Sequence, residues 1–413
     1  MLTACVGVDL PFSAWGVEVA SHLLAFAVAA CLCGVLVLMG RSQNPAIAVL
    51  PFGWRRGDTA ARQAAHLSPT PRIGGLAVFA GFVVGGLALP EPGQTILLLL
   101  AIAGLPILLA GLLEDLGVPL SPTRRLLAAA LGTVLAMLLF QSWLSRADIP
   151  GVDSLLSLAP FSFALTMFVS VGFCHAFNLV DGLNGLAAAI GLVAAACLGS
   201  VAFAAGQPDL AMAAFVLFGA LAGFFLFNYP FAKIFLGDSG ACVLGFLLTW
   251  LAMLLVARVP EVSVWAMVLI FFWPVADTAL AIWRRRGTGR AVMQPDRLHA
   301  HQLMLRMLEL CVLGSGRRRV ANPLATALLV PLFAAPAVMG ALLWNKPAAA
   351  VTALLACTAV FVGSYIASVH LLRRRPHRVA AAVQPLARLS GLRQGRVSPG
   401  RARALEAQTD GNA

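Results

Sequence analysis

The chain has 413 residues, of which 60% are hydrophobic and 11% charged, with a mean hydropathy of +0.89 and a formal net charge of +12. A soluble domain carries roughly 25% charged residues, so this composition excludes a soluble globular protein and identifies an integral membrane protein. The basic excess sits beside apolar runs, where topology and anionic lipid account for it, and nucleic acid is set aside as a partner.

Crossing the hydrocarbon core takes about 20 apolar residues as a helix. Eleven runs meet that template in chain order: Val19–Met39, Gly74–Leu89, Ile96–Leu113, Leu126–Trp143, Phe161–Phe177, Leu186–Ala205, Leu210–Phe227, Ala241–Val256, Val262–Trp283, Ala325–Trp344 and Ala350–Leu372. The predicted fold is therefore all-α, a polytopic transmembrane helical bundle, with the short second run leaning on its neighbours. No basic stretch precedes Val17, so the first run is expected to remain as an anchor rather than be cleaved as a signal peptide. Residues 1–375 form one integral-membrane domain, and the basic tail 376–413, without apolar periodicity, is expected to be disordered. The eight cysteines form no CxxC pair and read as small apolar packing residues.

With eleven spans the loops alternate between two sides. One set of loops holds 26 of the 29 Lys and Arg residues, and the other holds Arg146, Arg258 and Lys346 alone. The positive-inside rule then puts the N-terminus outside and the C-terminus in the cytoplasm. The short outer loops leave the membrane interior and the cytoplasmic face as the places for chemistry.

An acid in or beside a spanning helix is costly and is a functional suspect. Five polar groups fall on the predicted cytoplasmic side. Glu114-Asp115 ends the third run; adjacent carboxylates point to different helix faces, and a solvated helix end facing Arg124 and Arg125 is the plain alternative. In NLVDGLNGL, Asn178, Asp181 and Asn184 or Gly185 fall on one side, either as a site or as an ordinary polar turn. In FNYPFAKIFLGDSGA, a tight loop opens the eighth run; its backbone can offer N–H groups to phosphate while Asp238 holds a hard cation, and Asp238 also suits a helix N-cap. Asp277 lies roughly 10 Å inside its helix end, with a structural partner and a catalytic task equally open. In PDRLHAHQLMLRMLEL a continuous helix puts His299, Gln302, Arg306 and Glu309 on one face and His301 some 200° away, so both histidines reach one site only if the segment is extended or broken there. An interfacial amphipathic helix explains much of that segment, and two histidines without a third ligand predict no zinc.

Phosphoryl transfer between two phosphates needs a divalent cation, anion-binding donors and at most one base, which these groups can supply at a membrane surface. Together the motifs HLSPTPRIGG (His66–Gly75), LLEDL, FNLVDGLNGLA, NYPFAKIFLGDSGA and PDRLHAHQLM resemble the polyprenyl-phosphate N-acetylhexosamine-1-phosphate transferase family. That resemblance implies a reaction of a UDP-N-acetylhexosamine, UDP-GlcNAc or a close relative, with undecaprenyl phosphate. The products are the undecaprenyl-diphosphate sugar and UMP, and the cofactor is Mg²⁺, with Mn²⁺ as an alternative. It implies an enzyme of the bacterial inner membrane with its active site on the cytoplasmic face, opening synthesis of a cell-envelope polysaccharide; a homodimer is left open. By position, Asp238 corresponds to the metal ligand, Asp115 and Glu114 to the acidic pair near the polyprenyl phosphate, and Asp181 with Asn178 to the substrate site. Phe235 corresponds to the uracil-stacking aromatic, Asn184 and Asn228 to the nucleotide pocket, and His299, His301 and Arg297 to sugar or diphosphate contacts. Glu114 stands where Asp is usual, Asn184 where many members have Asp, and Gln302 where an HxHH form ends. The HAHQ pattern is nearer the N-acetylhexosamine branch than the peptidoglycan branch. A secondary transporter, or an inactive member serving as a scaffold, is the rival reading; transporter sites lie near the midplane, whereas here only Asp277 lies well inside and the other acids sit at cytoplasmic ends.

Overall fold

The computed structural model describes residues 12–41, 70–287, 298–314 and 317–373. Arg297, residues 66–69 of the first motif and the tail 376–413 lie outside the described residues. The chain folds into helices in the order α1 (Phe12–Arg41), α2 (Gly74–Leu87), α3 (Gly93–Asp115), α4 (Pro122–Phe140), α5 (Val152–Leu156), α6 (Ala159–Val180), α7 (Leu186–Ala204), α8 (Pro208–Asn228), α9 (Gly237–Arg258), α10 (Val264–Ile270), α11 (Phe272–Gly287), α12 (Ala300–Met307), α13 (Arg318–Leu342) and α14 (Pro347–Arg373). A π-helical turn, Leu308–Leu313, follows α12.

Helices satisfy their backbone groups internally, which lipid demands, and large apolar side chains such as Leu138, Phe168, Leu226 and Leu355 remain exposed on the outside of the bundle. Among the described residues nine helices are long and apolar enough to span, α10 and α11 form one bent pair, and α2 is a shorter apolar helix. Each of the eleven predicted runs therefore has its element, but two differ in form. α2 has only 14 residues. The ninth run is broken, α10 and α11 meeting at 83°. Pro274 has no N–H to give to the carbonyl of Ile270, and α10 ends at that residue. The break thus falls at Phe271, one turn before the proline itself.

α9 is the central element, buried along almost its whole length and packed on α3 and α6. α1 lies against α8 and α2, α7 packs on α8, and α13 packs on α10 and α7. A small polar knot holds the interior: Thr133 Oγ1 donates to Ser170 Oγ at 2.8 Å, and Trp250 Nε1 donates to the same oxygen at 3.0 Å.

The two ends of α9 are chemically different. At its C-terminal end Arg146 Nη2 donates to the carbonyls of Val256, Val259 and Val262, and the Ser263 N–H donates to the carbonyl of Trp344, two residues before Lys346. Arg146, Arg258 and Lys346, set apart by the charge count, thus gather at one end of the bundle. Glu114, Asp115, Asp181 and Asp238 gather at the other, about 30 Å away along a 22-residue helix.

Candidate active site

The site is organised around the first turn of α9. The segment Pro71–Gly75 runs beside Phe235 and Leu236: the Phe235 N–H donates to the Pro71 carbonyl at 2.8 Å, the Gly74 N–H to Phe235 at 2.9 Å, and the Gly75 N–H to Leu236 at 2.8 Å. Small residues let three backbones meet here. Gly75 lies against Gly240, and Gly111 of α3 against Ser239, with no room for a Cβ at either contact. Gly237, at φ +80, occupies the left-handed region, and a side chain there would strike the Arg72 carbonyl and the Asp115 carboxylate.

That arrangement delivers Asp115, from the end of α3, onto the start of α9. Asp115 Oδ1 accepts the Asp238 N–H at 2.9 Å; Oδ2 accepts the Ser239 N–H at 3.0 Å and the Ser239 hydroxyl at 2.7 Å. Its side chain is wholly buried. The helix is therefore capped from another helix, and Asp238 is not its own N-cap; it sits within the first turn with its carboxylate partly exposed. The nearest cation is Arg72, whose Nη2 is 3.4 Å from Asp238 Oδ1 and whose Nε is 3.9 Å from Asp115 Oδ1. Burial works to lower the Arg72 pKa, but the charges of Asp238, Asp115, Asp181 and Glu114 outweigh it and raise it.

Glu114 points away from Asp115, as neighbours on a helix must. It meets Arg125 at 3.3 Å through Oε1, while Oε2 is buried without a hydrogen-bond partner. His175 of α6 has a buried Nε2 in the same condition and lies within electrostatic reach of Arg125 and Asp238.

α6 ends at Val180, so Asp181 opens the loop as the residue after the helix. Neither Asp181 nor Asn178 takes a hydrogen bond or ion pair among the described residues. Burial, with the charge of Asp238 adding and that of Arg72 opposing, pushes the Asp181 carboxyl up to about 7. Asn184 acts chiefly as a clamp: its N–H donates to Asn322 Oδ1, its Nδ2 to the Pro230 carbonyl, and its carbonyl accepts from Thr326 Oγ1, leaving Oδ1 buried and unpartnered. Asn228 Nδ2 donates to the Ile234 carbonyl at 2.7 Å and closes the loop that carries the half-buried Phe235.

The histidine segment is broken where it must be. His299 is extended (φ −63, ψ 146) and α12 begins at Ala300, so both rings turn toward one carboxylate. Asp277 Oδ1 accepts the Ala300 N–H at 2.9 Å and Oδ2 lies 2.8 Å from His299 Nδ1. The His301 ring stacks on His299, centroids 5.6 Å apart, with Nδ1 3.9 Å from the same oxygen. His301 is wholly buried with both ring nitrogens unpartnered; burial, with the charge of Asp277 opposing and that of His299 adding, pushes its pKa down to about 4. A Cβ at Gly182 would lie 2.5 Å from its Nε2, so the VDG and HAH motifs are in direct contact.

The structure thus joins Asp115, Asp238, Asp181 and Glu114 around Arg72, and sets the Asp277 and histidine group against Gly182. Arg72, Ser239, Asn322, Asp277 and His175 were not among the predicted site residues. Arg72 and Ser239 lie inside the motifs PTPRIGG and GDSG, and Asp277 among the suspect acids; Asn322 and His175 carry no signal in the sequence. Among the described residues no three His, Cys, Asp or Glu side chains form a metal cluster. Mg²⁺, however, takes one or two carboxylates and fills its shell with water and substrate phosphates. Asp238, with only the one long contact to Arg72, fits that requirement; Asp115, with both oxygens engaged, does not.

Residues 97–256 match the family model described as glycosyl transferase family 4. The chain is similar to a probable undecaprenyl-phosphate N-acetylglucosaminyl 1-phosphate transferase of Bacillus subtilis, 29% identical over 249 residues covering 60% of this chain and 69% of the relative. It is also similar to decaprenyl-phosphate N-acetylglucosaminephosphotransferases of Mycobacterium tuberculosis, 31% identical with 62% and 69% covered, and of Mycolicibacterium smegmatis, 29% identical with 75% and 80% covered. The family match spans α3 to α9, from the helix that ends in Asp115 to the helix that Asp115 caps. This multi-pass membrane protein belongs to glycosyl transferase family 4, among the polyprenyl-phosphate N-acetylhexosamine-1-phosphate transferases.

Proposed function

We propose that the chain transfers N-acetylglucosamine 1-phosphate, or a close N-acetylhexosamine relative, from a UDP-sugar to undecaprenyl phosphate. A phosphate oxygen of the acceptor bonds to the β-phosphorus of the donor, the bridging bond to the α-phosphate breaks, and UMP leaves. The product, an undecaprenyl-diphosphate sugar, opens synthesis of a cell-envelope polysaccharide. The observation that carries this reading is the convergence of the VDG, GDSG and HAH motifs at one end of the bundle, in a chain whose relatives bear N-acetylglucosamine transferase names.

Asp238 is the residue that would hold Mg²⁺, or Mn²⁺ in its place. The bound cation would offset charge on the donor diphosphate and make its β-phosphorus a better electrophile. Asp115 fixes the turn that carries Asp238, and Asp277 fixes His299. Asp181 and Asn178, without a hydrogen bond or ion pair among the described residues, have polar atoms free for the donor. Glu114, with Oε2 unpartnered and Oε1 on Arg125, is the carboxylate able to take a proton from the acceptor phosphate. Phe235 would stack on uracil. The charge distribution supports a cytoplasmic site in the bacterial inner membrane, where UDP-sugars are found.

The test is UMP release by purified protein with undecaprenyl phosphate, Mg²⁺ and a panel of UDP-N-acetyl sugars. Release with UDP-GlcNAc or a relative is expected. Silence with every sugar would favour the scaffold reading and overturn this one.

A further inference from the structure

The start of α9 looks, in sequence, like a cradle of backbone N–H groups for phosphate. In the structure that cradle is already filled, because the Asp238 and Ser239 amides and the Ser239 hydroxyl all donate to Asp115. A diphosphate arriving beside Asp238 therefore finds these two amides taken and turns to side-chain donors. Besides Arg124, exposed at the start of α4, three basic side chains among the described residues lie on the elements around it. Arg125 is held by Glu114 at 3.3 Å, and Lys233 is exposed and makes no ion pair among the described residues with an acid of the site. Among the described residues Arg72 alone adjoins Asp238.

The guanidinium of Arg72 has five N–H donors. One of them meets an acceptor, Asp238 Oδ1, and only at 3.4 Å; the approach of Nε to Asp115 at 3.9 Å is too long for a hydrogen bond and is aimed at an oxygen already engaged. Its side chain is 45% exposed, whereas its backbone is fixed by the Pro71 and Gly74 bonds to Phe235 and by the close packing of its carbonyl on Gly237. The side chain thus has a rigid root and a planar head with unused donors, the geometry that grips two phosphate oxygens at once.

We propose that Arg72 binds the diphosphate of the nucleotide-sugar donor, exchanging its long contact with Asp238 for paired bonds to phosphate oxygens. The exchange leaves Asp238 free for the cation. This rests on the transferase reading above. The experiment is equilibrium binding of UDP and of uridine to the purified full chain, wild type and Arg72→Gln, with EDTA and with Mg²⁺, alongside thermal melting. Losing the paired, charge-assisted bonds is expected to weaken UDP about tenfold or more in both conditions. Uridine affinity and melting should not move, and Arg72→Lys should recover part of the UDP affinity. UDP binding by Arg72→Gln equal to wild type overturns the proposal, as does an equal loss of UDP and uridine, which would make Arg72 a structural support. Wild-type protein that does not bind UDP removes the transferase reading itself and this proposal with it.

Discussion

Asp115 and Ser239 are joined twice, Oδ2 of the carboxylate accepting both the backbone N–H at 3.0 Å and the hydroxyl at 2.7 Å. With Oδ1 on the Asp238 N–H, the end of α3 becomes the cap of α9, and a negative charge meets the positive end of the helix dipole. The acidic pair is therefore split: Asp115 holds the turn that carries Asp238, and Glu114 turns to Arg125.

That division predicts opposite signatures for two aspartates. Asp115→Ala strands two N–H groups in a buried turn and should cost about 2–3 kcal/mol of stability, seen as a lower melting temperature together with lost turnover. Asp238→Asn disturbs only a 3.4 Å contact at a partly exposed carboxylate and should melt within about 0.5 kcal/mol of wild type. Its turnover should nevertheless fall by about 100-fold or more, since charge stabilisation through the cation is worth several kcal/mol. An Asp115→Ala protein that is inactive but melts normally would show that the carboxylate acts on substrate and not on α9.

Gly182 offers a test of the contact between motifs. An added Cβ falls 2.5 Å from His301 Nε2, so the buried ring, stacked on His299, must shift to admit it. Gly182→Ala should lower kcat about tenfold or more, the scale of general effects from misplacing a positioned group. Gly172→Ala, on the same chain segment with open space around it, should leave turnover unchanged. Equal activity of the two variants would dissociate His301 from the reaction.

The bundle was legible because apolar runs and the asymmetry of Lys and Arg follow directly from what lipid and translocation demand. The acids were legible because each is costly where it stands. Their division of labour was not. Nothing in the dipeptide Glu114-Asp115 says which carboxylate turns toward α9; that depends on Gly111 and Gly237 allowing three backbones to meet. The sequence requires a break between His299 and His301 if both are to reach one site, but its cause, Asp277 accepting the Ala300 N–H, joins residues 23 apart. Arg72 was hidden because its partners come from α3 and α9, and the half-buried His175 because it sits within an apolar helix with no acidic neighbour in sequence.

The buried histidine sets a pH dependence. His301 has a folded pKa of about 4 against an ordinary value of 6.5, so the folded state binds fewer protons than the unfolded one between those values. Its contribution is intact above about pH 6.5 and is lost as pH falls toward 4, to a total on the order of 3 kcal/mol. Asp181, raised from 3.8 to about 7, acts with the opposite sign, since its folded form gains a proton first as pH falls below 7. The difference between wild type and His301→Gln cancels Asp181. The melting temperature of His301→Gln should therefore fall less than that of wild type between pH 7.5 and 5. Parallel curves would mean that the imidazole is solvated in the folded protein.

The far end of the bundle supplies the complementary test, stability without catalysis. Arg146 Nη2 donates to the carbonyls of Val262 at 2.6 Å, Val259 at 3.2 Å and Val256 at 3.3 Å, and Nη1 to Asp148 at 2.6 Å; Asp148 Oδ2 in turn accepts the Val264 N–H. One guanidinium thus ties the end of α9 to the start of α10. Arg146→Ala should cost about 2–4 kcal/mol, because it strands several carbonyls and leaves Asp148 without its counter-charge. Arg146→Lys should recover only part of this, since a single ammonium cannot span four acceptors in a fixed plane. The KM for the UDP-sugar should stay at the wild-type value, with Asp238 about 30 Å away along α9. An unchanged melting temperature would refute the tie, and a shifted KM would mean that the two ends of α9 are coupled.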